Sequence, residues 1–151
     1  MTAAAPAQSL TERFAFSVEL VLRGAVAQLA KEPGGGADAL GTWNRLKRLV
    51  ARFSALVAAV EAGRFSIPRR TPVAERKQRQ LFPESPRPAQ AVKVRHPQSY
   101  GWLLNLAPEL NTRIGRAQIE TLLADPALLA LLAEAPQAGR ILRPLCHMLR
   151  I

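Results

Sequence analysis

The sequence predicts an all-α protein with an N-terminal antiparallel helical hairpin, a basic Pro-rich connector and a compact C-terminal cluster of three or four short helices. Three observations predict this class. First, 48% of the residues are apolar but only 5% are aromatic, so the core consists mainly of Leu, Val, Ile and Ala, which suits helices better than sheets. Second, apolar residues recur at steps of three and four in both halves. Third, these patterns begin and end at helix start and stop signals.

The first predicted helix begins at Ser9 and reaches about Lys31. The letters SLTE place Ser9 at the N-cap and Glu12 three positions later, which is the spacing of a capping box. Pro33 and the three glycines after it stop the helix, since neither residue type continues a helix without a cost in free energy. One apolar stripe follows the start signal: Leu10, Phe14, Val18, Val21, Leu22, Ala25 and Leu29.

The second predicted helix begins with Asp38 as its cap and ends at Gly63, a residue type that often follows a helix. Its apolar positions alternate by three and four, so it needs a partner helix along this seam. A short loop between two long helices predicts an antiparallel hairpin. A hairpin alone is a poor fold, so the C-terminal unit, a second copy of the chain or another protein must cover its seam. The seam positions are Trp43, Leu46, Val50, Phe53, Val57 and Val60.

The sequence divides the chain into a hairpin at residues 1–63, a linker at 64–96 and a C-terminal unit at 97–151. The C-terminal unit opens with PQSYGWLLNL, which predicts a short helix or turn closed by Pro108. Tyr100 and Trp102 in this stretch have two interpretations, a peptide-docking patch and a plug of the core. The core plug is the favoured one, because buried aromatic side chains contribute large apolar areas.

Three further helical segments are predicted in the C-terminal unit. Thr112 is expected to cap the first. Asp125 and Pro126 start the second, which ends at Pro136 and should be deeply buried because leucines cover nearly all of it. Pro144 is expected to interrupt or kink the last segment. The first of the three has four residues expected to face inward: Ile114, Ile119, Leu122 and Leu123.

The net charge of +10 is concentrated in the linker. Residues 64–95 hold nine basic and two acidic residues, a net charge of +7, together with five prolines, whereas the flanking parts are nearly neutral. Such a composition predicts an extended segment, in which Thr71 and Pro72 start one short basic helix that phosphates would induce. Five basic residues of this segment are the candidate nucleic-acid contacts: Arg69, Arg70, Arg76, Lys77 and Arg79.

Two other interpretations of the linker remain open. The segment is a solvated spacer, or it is a strap whose apolar residues pack on the hairpin while its charges face water. Arg45, Arg48 and Arg52 on the second helix add a smaller basic face, which together with the linker would form one continuous basic surface. This face also has an alternative, a solvated surface opposite the core.

The chain offers little for catalysis. It has two histidines and one cysteine, Cys146, and Cys146 and His147 are sequence neighbours that point in different directions on a helix. The sequence therefore predicts no enzyme, no cofactor, no metal site and no membrane span, and a cytoplasmic location. It predicts an accessory protein that binds nucleic acid or another anionic macromolecule. The alternative is a protein–protein adaptor or homodimer that uses the apolar helical surfaces.

Overall fold

The computed structural model describes residues 8–65 and 99–151. This part of the chain holds six helices and no strand, which confirms the all-α class. The helices are α1 (Leu10–Leu29), α2 (Gly35–Glu61), α3 (Trp102–Leu106), α4 (Leu110–Leu123), α5 (Pro126–Glu134) and α6 (Gln137–Leu149).

The start of α1 is a capping box, as its sequence predicts. The Glu12 backbone N–H donates to Ser9 Oγ at 3.2 Å, and the Ser9 backbone N–H donates to Glu12 Oε2 at 2.8 Å. The Ser9 backbone N–H and, second, the Ser9 side chain lower the pKa of Glu12, because hydrogen bonds to its carboxylate favour the ionised form. The box thus satisfies two of the backbone donors that the first turn leaves open.

The start of α2 differs from the prediction. The N-cap is Gly34, whose φ of 83° lies in the left-handed region, and the helix begins at Gly35. Asp38 therefore lies within the first turn and not at the cap, at a place where the helix dipole favours a carboxylate. The buried face is also rotated from the predicted seam, and Trp43 is 36% exposed. The apolar residues of the buried face of α2 are Leu46, Leu49, Phe53, Leu56 and Val57.

Helices α1 and α2 contact each other through residue pairs that run in opposite order along the two helices. The ring centroids of Phe14 and Phe53 are 4.4 Å apart in the core. Further along α1, Glu19 Oε2 accepts from Lys47 Nζ at 3.1 Å on the surface. Since the residue numbers rise on one helix as they fall on the other, the two helices are antiparallel.

Helix α4 packs closely on α1, also antiparallel, with an ion pair at each end. Arg13 contacts Asp125 at 2.6 Å, and Lys31 contacts Glu109 at 3.3 Å. Between them, a Cβ built on Gly115 would lie 2.7 Å from Val21 Cγ2, closer than real Cβ atoms come. Small residues thus allow the two backbones to approach.

Thr112 lies at this contact and does not cap α4. It is fully buried, its Oγ1 is the buried side-chain oxygen without a hydrogen-bond partner in the described residues, and Glu109 occupies the N-cap. Ile114, expected to face inward, is 39% exposed, while Ile119 and Leu122 are buried as predicted. The periodicity of α4 therefore gave its buried face only in part.

One apolar core joins all six helices of the described chain. Helix α4 packs on α1 and α6 packs on α2, so the C-terminal helices cover the face that α1 and α2 leave open. Helix α5 is less buried than predicted, because Leu128 and Leu131 are buried but Leu129 is 53% exposed. Helix α6 continues through Pro144 without interruption, contrary to the predicted break.

Asp125 begins α5 as its sequence predicts and also ties this helix to α1. Its Oδ1 accepts from the Ala127 backbone N–H at 2.8 Å, Pro126 follows as the first helical residue, and Oδ2 accepts from Arg13. The hydrogen bond from Arg13, and then the one from the Ala127 N–H, hold the pKa of Asp125 below its usual value of 3.8. The ionised carboxylate therefore stabilises the folded state.

Replacing Asp125 with Asn should give a pH-dependent loss of stability. A lowered pKa contributes stability above the usual value of 3.8 and loses it as the pH falls through the folded-state pKa. Asn keeps an oxygen for the Ala127 N–H but has no charge for Arg13. We expect the melting temperature of D125N to lie below that of the original protein at pH 7 and the gap to narrow below about pH 4. A gap that stays constant down to pH 3 would contradict this account.

Candidate nucleic-acid interface

Three of the eight predicted contact residues lie in the described chain, and all three are on α2. Arg45, Arg48 and Arg52 are exposed, on a flank of α2 beside its buried face. At 1.5 Å per residue, they span about 10 Å of the helix. We call these three residues the α2 arginine face. The other five lie outside the described residues and stay predictions: Arg69, Arg70, Arg76, Lys77 and Arg79.

The α2 arginine face carries positive charge that no acidic side chain in the described residues neutralises. The remaining cations on α1, on α2 and in the turn between them are all paired. Glu19 accepts from Lys47 Nζ at 3.1 Å and forms an ion pair with Arg23 Nε at 3.7 Å, while Arg13 and Lys31 pair with residues of the C-terminal unit. Within α1, α2 and the turn between them, the cations without an acidic partner among the described residues are therefore Arg45, Arg48 and Arg52.

The α2 arginine face looks away from α1. Residues two positions apart on a helix point about 200° from each other, so Arg45 and Lys47 lie on opposite flanks. Lys47 is on the flank next to α1, because it binds Glu19 there, and its Nζ also lies 5.0 Å from the centre of the Trp43 ring. The Trp43 ring therefore lies on the same flank as Lys47 and not on the flank of the three arginines. Guanidinium groups without a neighbouring ring suit phosphate better than bases.

The end of α2 leads directly into the basic segment. Helix α2 ends at Glu61, and Arg64, the first residue of the segment 64–95, is exposed. Arg52 lies nine residues before the end of the helix, which corresponds to about 14 Å along its axis. The α2 arginine face and the basic segment are therefore close neighbours along the chain.

A second basic face went unnoticed in the sequence. Arg140, Arg143, His147 and Arg150 are exposed on the outer side of α6 and at its C-cap, at steps of three, four and three. The same spacing identified the α2 arginine face and was present here as well. A helix broken at Pro144, as expected from the sequence, would not place these four residues on one side. They form a stripe only because α6 is continuous.

The described residues hold little that favours catalysis. Cys146 is half-buried, and burial raises the pKa of its thiol, so the reactive thiolate is disfavoured. Within residues 8–65 and 99–151, no three His, Cys, Asp or Glu side chains are grouped closely enough to hold a metal ion. None of the helices in these ranges is long and apolar enough to cross a bilayer.

No protein-family model, no curated protein and no solved structure matches this chain. Its function must be inferred from its own charges, exposed side chains and geometry.

Proposed function

We propose that the protein is a small non-enzymatic accessory protein that binds nucleic acid through the basic segment 64–95 and the α2 arginine face. One observation carries the proposal. Arg45, Arg48 and Arg52 are exposed on one face, lack acidic partners among the described residues and lie on the helix that leads into the most basic segment of the chain. If this face were only solvated, its arginines would not have to differ from the other cations of α1 and α2, which all have acidic partners.

Phosphate groups are the chemical class that this arrangement fits. A guanidinium group binds a phosphate with two parallel hydrogen bonds, and each phosphate neutralised on a duplex releases condensed counterions. Trp43, the exposed aromatic residue of α2, lies on the Lys47 flank, and Phe53 is buried, so α2 itself offers no ring for stacking bases beside the three arginines. Binding at this face should therefore depend strongly on salt and weakly on sequence.

The triple variant R45A/R48A/R52A tests the proposal on a mixed-sequence duplex. Because the three side chains are exposed, the fold should be kept. Each lost phosphate contact lowers the slope of log affinity against log salt by about 0.9. We therefore expect the slope to fall by about 2 to 3, with a clear loss of affinity at low salt, measured by fluorescence anisotropy at several salt concentrations.

A matched control removes the same charge elsewhere. The variant R23A/K31A/R113A also loses three positive charges, from exposed positions on α1, α4 and the turn after α1. It should bind almost as well as the original protein if position decides, and as poorly as the triple arginine variant if only net charge matters. A parallel variant, R69A/R70A/R76A/K77A/R79A, tests the segment. Unchanged binding in both arginine variants would contradict the proposal.

The adaptor alternative now has less surface available. The apolar seam of α1 and α2 is covered by α4 and α6 of the same chain, so it does not call for a second copy or another protein. What remains for a protein partner is a set of exposed apolar side chains, among them Phe16, Leu40 and Trp43. An adaptor would form a complex that survives high salt, whereas the proposed phosphate contacts would not.

A further inference from the structure

The outer side of α6 carries a stripe of basic side chains. Arg140, Arg143, His147 and Arg150 are all exposed, and none has an acidic partner among the described residues. The residues of α6 itself, Gln137–Leu149, include no Asp or Glu. From Arg140 to Arg150 the face is about 15 Å long. We call these four residues the α6 basic face.

The orientation of α6 is fixed by its other side. Ile141, Leu142, Leu145, Met148 and Leu149 are buried in the shared core. Burial keeps these residues from entering a lipid bilayer, so α6 cannot act as an amphipathic membrane helix without unfolding the core. The last turn is fixed too, because Arg116 of α4 donates from Nε to the Leu149 carbonyl at 3.0 Å.

Tyr100 adds an aromatic ring at one end of the α6 basic face. It is 53% exposed, and its ring meets the His147 ring edge-on with 5.6 Å between the centroids. Its hydroxyl donates to the Ile151 carbonyl at 3.4 Å, and the next residue, Gly101, donates its N–H to the His147 carbonyl at 2.8 Å. Trp102, the other aromatic of this stretch, is buried in the core, as favoured from the sequence, whereas the same expectation was wrong for Tyr100.

We propose that the α6 basic face and Tyr100 form a second nucleic-acid contact, which takes a single-stranded segment. Arg140 and Arg143 would bind its phosphates, and the exposed Tyr100 ring would stack on one of its bases. Single strands bind proteins through this combination of cations along the backbone and aromatic rings against the bases, which a duplex keeps paired. The inference rests on the proposed function. It differs in that α2 itself places no exposed ring beside the α2 arginine face, which would therefore bind phosphate alone.

Paired probes test the inference, a mixed-sequence single strand of about ten nucleotides and the duplex of the same sequence. For the single strand, the variant R140A/R143A should weaken binding and lower the salt slope by about 1.4, since each phosphate contact contributes about 0.7. The control R23A/K31A removes the same charge from cations in exposed ion pairs and should leave the slope unchanged.

Tyr100 variants separate stacking from structure. Y100A should weaken single-strand binding at least about fivefold, the lower end of what one stacked base contributes. Y100F keeps the ring and loses the hydrogen bond to the Ile151 carbonyl, so it should bind like the original protein. If Y100F and Y100A lose affinity equally, the ring does not stack and the inference is wrong. Duplex binding should be nearly unchanged in both variants.

The outcomes distinguish this inference from the proposed function. If the unchanged protein binds neither probe, the proposed function itself fails. If it binds nucleic acid through the α2 arginine face but R140A/R143A binds the single strand as before, only the α6 inference fails. Vesicles of phosphatidylcholine with phosphatidylserine are the third probe. A loss of vesicle binding in R140A/R143A with unchanged single-strand binding would assign the face to anionic lipid and overturn the inference.

Discussion

Replacing Gly24 with Ala is expected to destabilise the protein by about 3 kcal/mol, although the same change stabilises most helices. Gly24 is in the middle of α1, where α4 comes close. A Cβ built there would overlap Thr112 Oγ1 and would lie 2.9 Å from the Thr112 backbone nitrogen. A side-chain rotation can relieve the first contact, but the second needs the two helices to separate. Urea denaturation followed by circular dichroism measures the loss.

A glycine in the next helix provides a control, because its replacement with Ala should raise the stability of the protein. Gly36 is in the first turn of α2, its φ is not positive, and a Cβ there meets nothing within 4 Å. G36A should therefore stabilise the protein by about 0.5–1 kcal/mol, because Ala loses less backbone entropy on folding than Gly. Equal stabilities for G24A and G36A would show that α1 and α4 are not in close contact.

A second change identifies the partner of Gly24. The variant T112A removes Oγ1, the buried oxygen without a hydrogen-bond partner in the described residues, and leaves space beside α1. In the double variant G24A/T112A, the loss from G24A should be smaller than in the original background, because the side-chain overlap has gone. Part of the loss should remain, since the Thr112 backbone nitrogen still opposes the new methyl group. Additive effects would argue against direct contact.

The starts of α1 and α5 were predictable because their signals are local. The capping box at Ser9 and the Asp125–Pro126 start each lie within four residues of sequence, and the structure has both. The predicted start of α2 was wrong because a glycine determines it. Gly34 adopts a left-handed conformation that starts α2 ahead of Asp38, and a glycine in a sequence does not show whether it will do so.

The contact between α1 and α4 lay beyond prediction for a related reason. Gly24 and Gly115 weaken a helix in isolation, and their value appears only when the partner helix and its register are known. Periodicity identifies a buried face but not the element that covers it. For the same reason, two predictions were wrong: Trp43 is not in the buried seam, and Thr112 does not cap α4.

The candidate sites divide in the same way. Arg45, Arg48 and Arg52 were predictable as one exposed face because their steps of three and four place them on one side of α2, apart from its core positions. The α6 basic face required a continuous helix through Pro144, which the sequence argued against. Tyr100 and His147 are far apart in the chain, so only the packing of α3 on α6 brings their rings together.

Replacing Phe14 with Ala is expected to cost about 3–5 kcal/mol, a large part of the 5–15 kcal/mol that separates typical folded and unfolded domains. Phe14 is 0% exposed, and its ring packs against Phe53 in the core shared by all six helices of the described chain. Truncation removes apolar contacts and leaves a cavity that fixed helices on several sides can fill only in part. The midpoint of urea denaturation should fall steeply.

Phe16 provides the matched control, because it is two residues further along α1 and is 51% exposed. F16A makes the same chemical change with the same gain in helix propensity, yet its stability should stay within about 0.5 kcal/mol of the original. Two-state unfolding with unchanged denaturant dependence is needed for this comparison. If F16A lost as much stability as F14A, Phe16 would have to be buried in solution, and the assignment of the buried face of α1 would be wrong.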